Sequence, residues 1–163
     1  MKKNMFQVCM IGSNKVGKSS LLERLTTHRF LKEYAMTQPL KNVQFAMSMA
    51  ETNYTFSIDQ VTSLDQIENL SKYIAFLIVF DVTDRNSFKE TVKHLESLKK
   101  SLTQNQICIV LGNKIDVHDR HHKVQPNEIT LARHTTFFYT SAKSNYNQEK
   151  PYYSIINFWK TCK

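Results

Sequence analysis

Gly12, Gly17, Lys18 and Ser19 stand in the run Gly12-Ser13-Asn14-Lys15-Val16-Gly17-Lys18-Ser19, a set of types and spacings able to hold a polyphosphate. Glycines let the backbone curl until consecutive N–H groups point inward at anionic oxygens. Lys18 can reach the β- and γ-phosphates, and the Ser19 hydroxyl can ligate Mg²⁺. This chemistry needs a strand to deliver the loop and a helix N-terminus behind it to add partial positive charge. Met5-Phe6-Gln7-Val8-Cys9-Met10-Ile11 is apolar enough for a buried parallel strand, and Ser20-Leu21-Leu22-Glu23-Arg24-Leu25 has the apolar spacing of a helix. A chance match in a strand-to-helix turn is the competing reading, and the agreement of context with motif weighs against it.

The chain has only three glycines, Gly12, Gly17 and Gly112, and two of them define this loop. A soluble domain averages about 7% glycine. Turns elsewhere must do without it, and glycine is expected mainly where backbone approaches a ligand.

A length of 163 residues fits one domain, 1–163, with a single core. No apolar run approaches the roughly 20 residues of a membrane span, and the N-terminus does not read as a signal peptide. Cys9, Cys108 and Cys162 are an odd, unpatterned set, expected as free thiols in a reducing, cytoplasmic compartment. The net charge of +8 suits a basic surface around a bound anionic nucleotide, and also an acidic partner or an anionic membrane surface. No nucleic-acid partner is expected. Arg120-His121-His122-Lys123 reads as a solvated loop, because no carboxylate or cysteine pattern accompanies the histidines.

The remaining elements follow from periodicity. Residues 27–39 have no sustained period and read as a loop. Val43, Phe45, Met47 and Met49 alternate with polar or small residues, and alternation resumes in Tyr54, Phe56 and Ile58. Two such runs joined across Glu51-Thr52-Asn53 are a hairpin whose second strand should end at Asp59. Residues 60–72 are polar and irregular, with helix expected late in the stretch. Residues 74–80 and 107–111 are continuous apolar runs, as in strands buried on both faces. Asp84-Arg85-Asn86-Ser87 opens a helix with a core stripe of Phe88, Val92, Leu95 and Leu98. A short helix is expected near 126–132, a last strand over 136–139, and a closing helix burying Tyr152, Ile155, Ile156 and Trp159, with Pro151 in its first turn. Helices alternating with strands, apart from one hairpin, predict a doubly wound α/β sheet that binds ligands at the carboxyl ends of its strands.

Two further motifs fall at such ends, Asn113-Lys114-Ile115-Asp116 and Ser141-Ala142-Lys143. With the phosphate loop, they make the chain resemble the Ras superfamily of small GTPases, Ras- and Rab-like members included, over essentially its whole length. The resemblance implies a P-loop NTPase G domain: a mostly parallel six-stranded sheet with one antiparallel hairpin strand. It implies guanine recognition by Asp116, whose carboxylate would accept from the ring N–H and the exocyclic amine, a pair that adenine lacks. Asn113 would brace the loops, Lys114 would lie along the base, and the Ala142 N–H would reach the guanine carbonyl, with Ser141 and Lys143 completing that loop. The implied phosphate-binding set is Gly12, Asn14, Lys15, Val16, Gly17, Lys18, Ser19 and Ser20. GTP or GDP and Mg²⁺ are the implied ligands, the metal held by Ser19, by Thr37 and, through water, by Asp59. Phe30 matches the aromatic packed against guanine, with a core role as its alternative. Tyr34 matches the tyrosine that closes over the phosphates, although Met36 replaces the usual proline before Thr37. Phe80-Asp81-Val82-Thr83-Asp84 also matches, in a structural role.

The same pattern breaks in the second switch, where the family has Asp-x-x-Gly-Gln and this chain has Asp59-Gln60-Val61-Thr62-Ser63. Thr62 stands for the glycine that contacts the γ-phosphate, and Ser63 for the glutamine that orients the attacking water. No glycine lies between Gly17 and Gly112 to rescue the motif. Gln60 directly follows Asp59 and should point the wrong way, and Gln66 comes three residues late unless the loop is reshaped. Asn14 and Lys15 fill positions that many members give to small residues, and Asn14 would crowd the γ-phosphate and the entry of an arginine finger. The end Lys160-Thr161-Cys162-Lys163 is not a prenylation motif.

Two functions remain open on these grounds. One is a molecular switch cycling between GTP and GDP with impaired hydrolysis, read by an effector protein through its switch regions. The other is a non-enzymatic module that keeps the nucleotide as a structural ligand, stabilised by mass action. A nucleotide kinase fits less well, because both late motifs serve guanine.

Overall fold

A computed structural model describes residues 4–28, 42–124, 128 and 135–162. Six strands form one sheet: β1 (Met5–Ile11), β2 (Val43–Met49), β3 (Thr52–Val61), β4 (Ala75–Asp81), β5 (Ile107–Asn113) and β6 (Thr135–Tyr139). Their order is β2-β3-β1-β4-β5-β6, with β2 antiparallel to β3 and every other pairing parallel. The sheet expected from the sequence is therefore the sheet observed. Among the described residues, three α-helices, α1 (Lys18–Thr27), α2 (Arg85–Lys99) and α3 (Lys150–Thr161), cover its faces.

Strand alternation sorts the core into two layers. Val8 and Met10 of β1 join Phe56, Ile58, Leu77 and Val79 under Leu21 and Leu22 of α1 and Tyr152, Ile155 and Ile156 of α3. Cys9 and Ile11 face the other way, joining Phe76, Ile78 and Phe80 under Phe88, Leu95 and Leu98 of α2. β4 and β5 are buried at every residue, which is why they read as unbroken apolar runs. Successive crossovers leave β1 on one side for β2 and β3 and return to its other side for β4. The loop after β1 opens at that reversal, where such sheets bind ligands.

Several local expectations shift by a residue or more. The hairpin turns at Ala50 and Glu51, both at positive φ, rather than across Glu51-Thr52-Asn53. β3 does not end at Asp59. It runs on to Val61 because parallel pairing with β1 continues through Ile11↔Val61. Residues 60–72 then hold two single 3-10 turns, Leu64–Gln66 and Leu70–Lys72. In α2 it is Thr91 that is buried with Phe88, Leu95 and Leu98, alongside Ser87, while Val92 is 37% exposed, since the helical spacing from Leu95 and Leu98 favours the former. Asp84 caps this helix by accepting from Asn86 N at 2.9 Å, a contact worth about 1 kcal/mol. Thr27 belongs to α1 rather than to the following loop. The rest of that loop and most of the 126–132 segment lie outside the described residues.

The layering makes a prediction about the three thiols. Cys9 and Cys108 have no exposed surface, and burial pushes each thiol up to about 12, whereas Cys162 is exposed. Titration of the folded protein with a thiol reagent near pH 8 should give one fast equivalent, and titration in denaturant should give three. A second fast equivalent in the folded protein would put Cys9 or Cys108 outside the core.

Candidate nucleotide site

The phosphate loop leaves β1 tied to its neighbours, with Gly12 N donating to Val61 O at 3.3 Å. A Cβ on Gly12 would stand 2.4 Å from Val79 O, so this glycine admits the close approach of β4. Lys15 (φ 66°) and Gly17 (φ 101°) take the left-handed conformations that curl the loop. α1 starts at once, with Leu21 N donating to Gly17 O at 2.9 Å. Lys18 arches back over the loop and donates from Nζ to Gly12 O at 2.5 Å and Ser13 O at 3.0 Å. Burial of its ammonium lowers the Lys18 pKa to about 8. Val16 is buried, Ser19 and Ser20 are half-buried in the first turn of α1, and Asn14 and Lys15 are exposed on the loop.

The end of β5 is bolted to this loop. Asn113 Nδ2 donates to Val16 O at 2.9 Å, while Asn113 Oδ1 accepts from Thr140 Oγ1 at 3.3 Å. A Cβ on Gly17 would lie 2.3 Å from Asn113 Nδ2, so glycine is needed there for contact as well as for its φ. Lys114 Nζ donates to Lys15 O at 2.8 Å and pairs with Asp81 Oδ2 at 2.5 Å. Asp81 in turn accepts from Thr83 N and Thr83 Oγ1, at 2.8 and 2.7 Å. Asp116 Oδ1 accepts from Ser141 Oγ at 2.5 Å, and Lys143 Nζ lies 3.9 Å from Asp116 Oδ2. The Ser141 hydroxyl also accepts from Ser144 N at 3.0 Å, which holds the loop carrying Ala142. Three loops distant in sequence thus form one rim of donors and oriented charge at the carboxyl ends of β1, β5 and β6.

The end of β3 is arranged differently from expectation. Strand alternation puts Gln60, not Asp59, on the Ser19 side, and Ser19 Oγ donates to Gln60 Oε1 at 3.2 Å. Asp59 faces the opposite layer and accepts from Lys72 Nζ and Tyr73 Oη, each at 2.8 Å, and from Asn42 N at 3.2 Å. Burial pushes the Asp59 carboxyl up, but the bonds from Lys72 and Tyr73 outweigh it and hold the carboxyl below the ordinary carboxylate value. The sequence contains the missed signal. Phe56 and Ile58 mark the core phase, and counting by two from them reaches Gln60.

Beyond β3, Gln66 folds back on the loop. Its Oε1 accepts from Thr62 N at 2.8 Å, from Thr62 Oγ1 at 3.3 Å and from Ser63 N at 3.4 Å. Ser63 caps the Leu64–Gln66 turn in a reciprocal capping box. Phe30, Tyr34 and Thr37 lie outside the described residues.

A magnesium ion, the usual companion of a nucleoside triphosphate, fits this donor set only in part. The Ser19 hydroxyl is suitable, but the side chain facing it from β3 is a neutral amide rather than a carboxylate. Among the described residues, no group of three or more His, Cys, Asp or Glu side chains could hold a metal on its own. Nor is any described helix long and apolar enough to cross a membrane.

Comparison with known proteins agrees with this geometry. The family model described as "Ras family" matches residues 7–160. The chain is 28% identical over 162 residues to a Ras-like protein, rasC, of Dictyostelium discoideum, which covers 93% of this chain and 85% of that protein.

Lys18 supplies a test by linkage. Its folded pKa of about 8 lies below the ordinary lysine value of 10.5 that the unfolded chain keeps. Between those values the unfolded chain binds more protons, so the stability of the nucleotide-free protein should rise with pH across that window. Polyphosphate affinity should fall over the same range as the ammonium is lost. Lys18→Met should remove the rise and stabilise the empty protein at neutral pH. Urea midpoints measured from pH 7 to 10 check this, and parallel profiles for the two proteins would remove Lys18 from its buried position.

Proposed function

The chain belongs to the Ras family, and from that premise we propose that it holds GDP or GTP and acts as a molecular switch with impaired hydrolysis. The bracing of the guanine-type loop against the phosphate loop, through Asn113 to Val16 and Lys114 to Lys15, is the observation that carries the reading. A site that orders two loops across the fold is organised for a ligand with a base at one end and phosphates at the other. Asp116, fixed by Ser141, reads the guanine edge, with Lys143 and the Ala142 N–H beside it. Lys18 and the loop N–H groups take the phosphates. The switch segments form the surface an effector protein reads, and the net charge of +8 favours an anionic membrane surface as the place of action.

Hydrolysis is the weak part of this machine. If the family pattern is counted from Gln60, the residue that faces Ser19, then Ser63 takes the glycine's place and Leu64 the glutamine's. A leucine cannot orient water. Counted from Asp59, Thr62 and Ser63 fill those places and fare no better. Gln66 is not a substitute, since its carbonyl oxygen is engaged by Thr62 and Ser63. Those backbone donors are the ones a γ-phosphate would call on. The self-capped loop also favours the second reading, a module that keeps its nucleotide and does not cycle.

Nucleotide released from the purified, denatured protein should be GDP or GTP by chromatography. Binding should favour guanine over adenine nucleotides by about a hundredfold, the worth of two hydrogen bonds to a charged group. Asp116→Asn should move the preference toward xanthine nucleotides. Equal affinity for ATP and GTP sinks the assignment. Single-turnover hydrolysis should fall below the family's slow intrinsic rate, on the order of 10⁻⁴ per second. Hydrolysis at the family rate that Gln66→Ala abolishes would instead make Gln66 catalytic.

A further inference from the structure

We propose that Gln60 uncouples nucleotide retention from magnesium, so that this protein keeps its guanine nucleotide when the metal is chelated. The inference rests on the nucleotide-binding reading above and goes further, to how the nucleotide is held. Gln60 is 3% exposed and offers its amide oxygen to Ser19 Oγ, the hydroxyl best placed to ligate a metal at the phosphates. An amide carries no charge. A carboxylate in its place would attract a divalent cation and orient the metal's water ligands, and loss of such an outer partner typically costs 10–100-fold in metal affinity.

Asp59 cannot make up the loss. Register pairs Cys9 with Asp59 and Met10 with Gln60, while Phe56 and Ile58 lie wholly within the core. Bringing Asp59 to the Ser19 side would slip β3 by one residue and turn both apolar side chains to the wrong layer. Asp59 is also committed to Lys72, Tyr73 and Asn42 on its own face. Among the described residues, Lys18, seated over the loop, and the N-terminus of α1 supply charge that the chain itself owns to offset the phosphates.

Release of a fluorescent GDP analogue, chased with excess GDP, is the test, run with magnesium in excess and with EDTA in excess. Chelation should speed release by less than about tenfold in the unmodified protein. Gln60→Asp should raise Mg²⁺ affinity, and Mn²⁺ affinity read by electron paramagnetic resonance, by about 10–100-fold. Its release should become correspondingly sensitive to EDTA. Thermal melting checks the fold of the variant, and Gln60→Glu carries the comparison if the aspartate is not tolerated. Acceleration beyond about tenfold in the unmodified protein, or acidic variants with no gain in metal affinity, overturns the inference. Either result with GDP still bound leaves guanine binding intact. A protein that takes up no guanine nucleotide under either condition overturns both.

Discussion

The register of β1 against β3 decides which side chains the site has to work with. Seven consecutive pairs, from Met5↔Thr55 to Ile11↔Val61, lock two parallel strands whose alternate residues enter opposite core layers. Because Val8, Met10, Phe56 and Ile58 are buried on one face, the phase of every other residue on both strands follows. That phase delivers Gly12 to the mouth of the sheet and Gln60 to the side of Ser19. It also sends Asp59 to the α2 layer, where Lys72 and Tyr73 neutralise and hold it. A one-residue slip would exchange these roles only by exposing the apolar set, so the chemistry at the rim is subordinate to packing beneath it.

The second constraint is the tie between loops that are far apart in sequence. Asn113 reaches Val16 across 97 residues and Lys114 reaches Lys15 across 99. Both bonds run from side chain to backbone carbonyl, so they fix where the loops lie without drawing on the loop N–H groups. Asp81 anchors Lys114 from β4, and Thr140 holds the far side of Asn113 from the end of β6. Disturbing any one of them loosens the others, because each bond's geometry depends on strands that the sheet already fixes.

Much of this was legible in the residues, and the failures have local causes. The strand types, and the loops at the ends of β1, β5 and β6 that the structure brings onto one rim, were readable because motif and period agree there. The metal role that the resemblance implied for Asp59 came from matching it to the first residue of the family's second-switch pattern, a match that missed the alternation set by Phe56 and Ile58. The strand itself continued because pairing with β1 stabilises two more residues than their polarity suggests. Gln66 was unreadable as a cap, since its turn is a single 3-10 step with no period to detect. Val92 and Thr91 exchanged places on α2 because adjacent helical positions differ by a small rotation, which hydrophobicity alone cannot resolve.

The scarcity of glycine has a consequence for the chain before it folds. Among the described residues, Lys15, His28, Asn42, Ala50, Glu51, Lys114, Asn145 and Asn147 adopt positive φ without being glycine. Left-handed backbone costs a typical L-residue about 1–2 kcal/mol, less for asparagine. Side chains at those positions also narrow the conformations open to the disordered polypeptide, and each loses less entropy on folding than glycine would. Strain in the native turns is thus set against a stiffer denatured ensemble. The hairpin turn at Ala50 and Glu51 is where that exchange is most concentrated, with two adjacent residues held left-handed between paired strands.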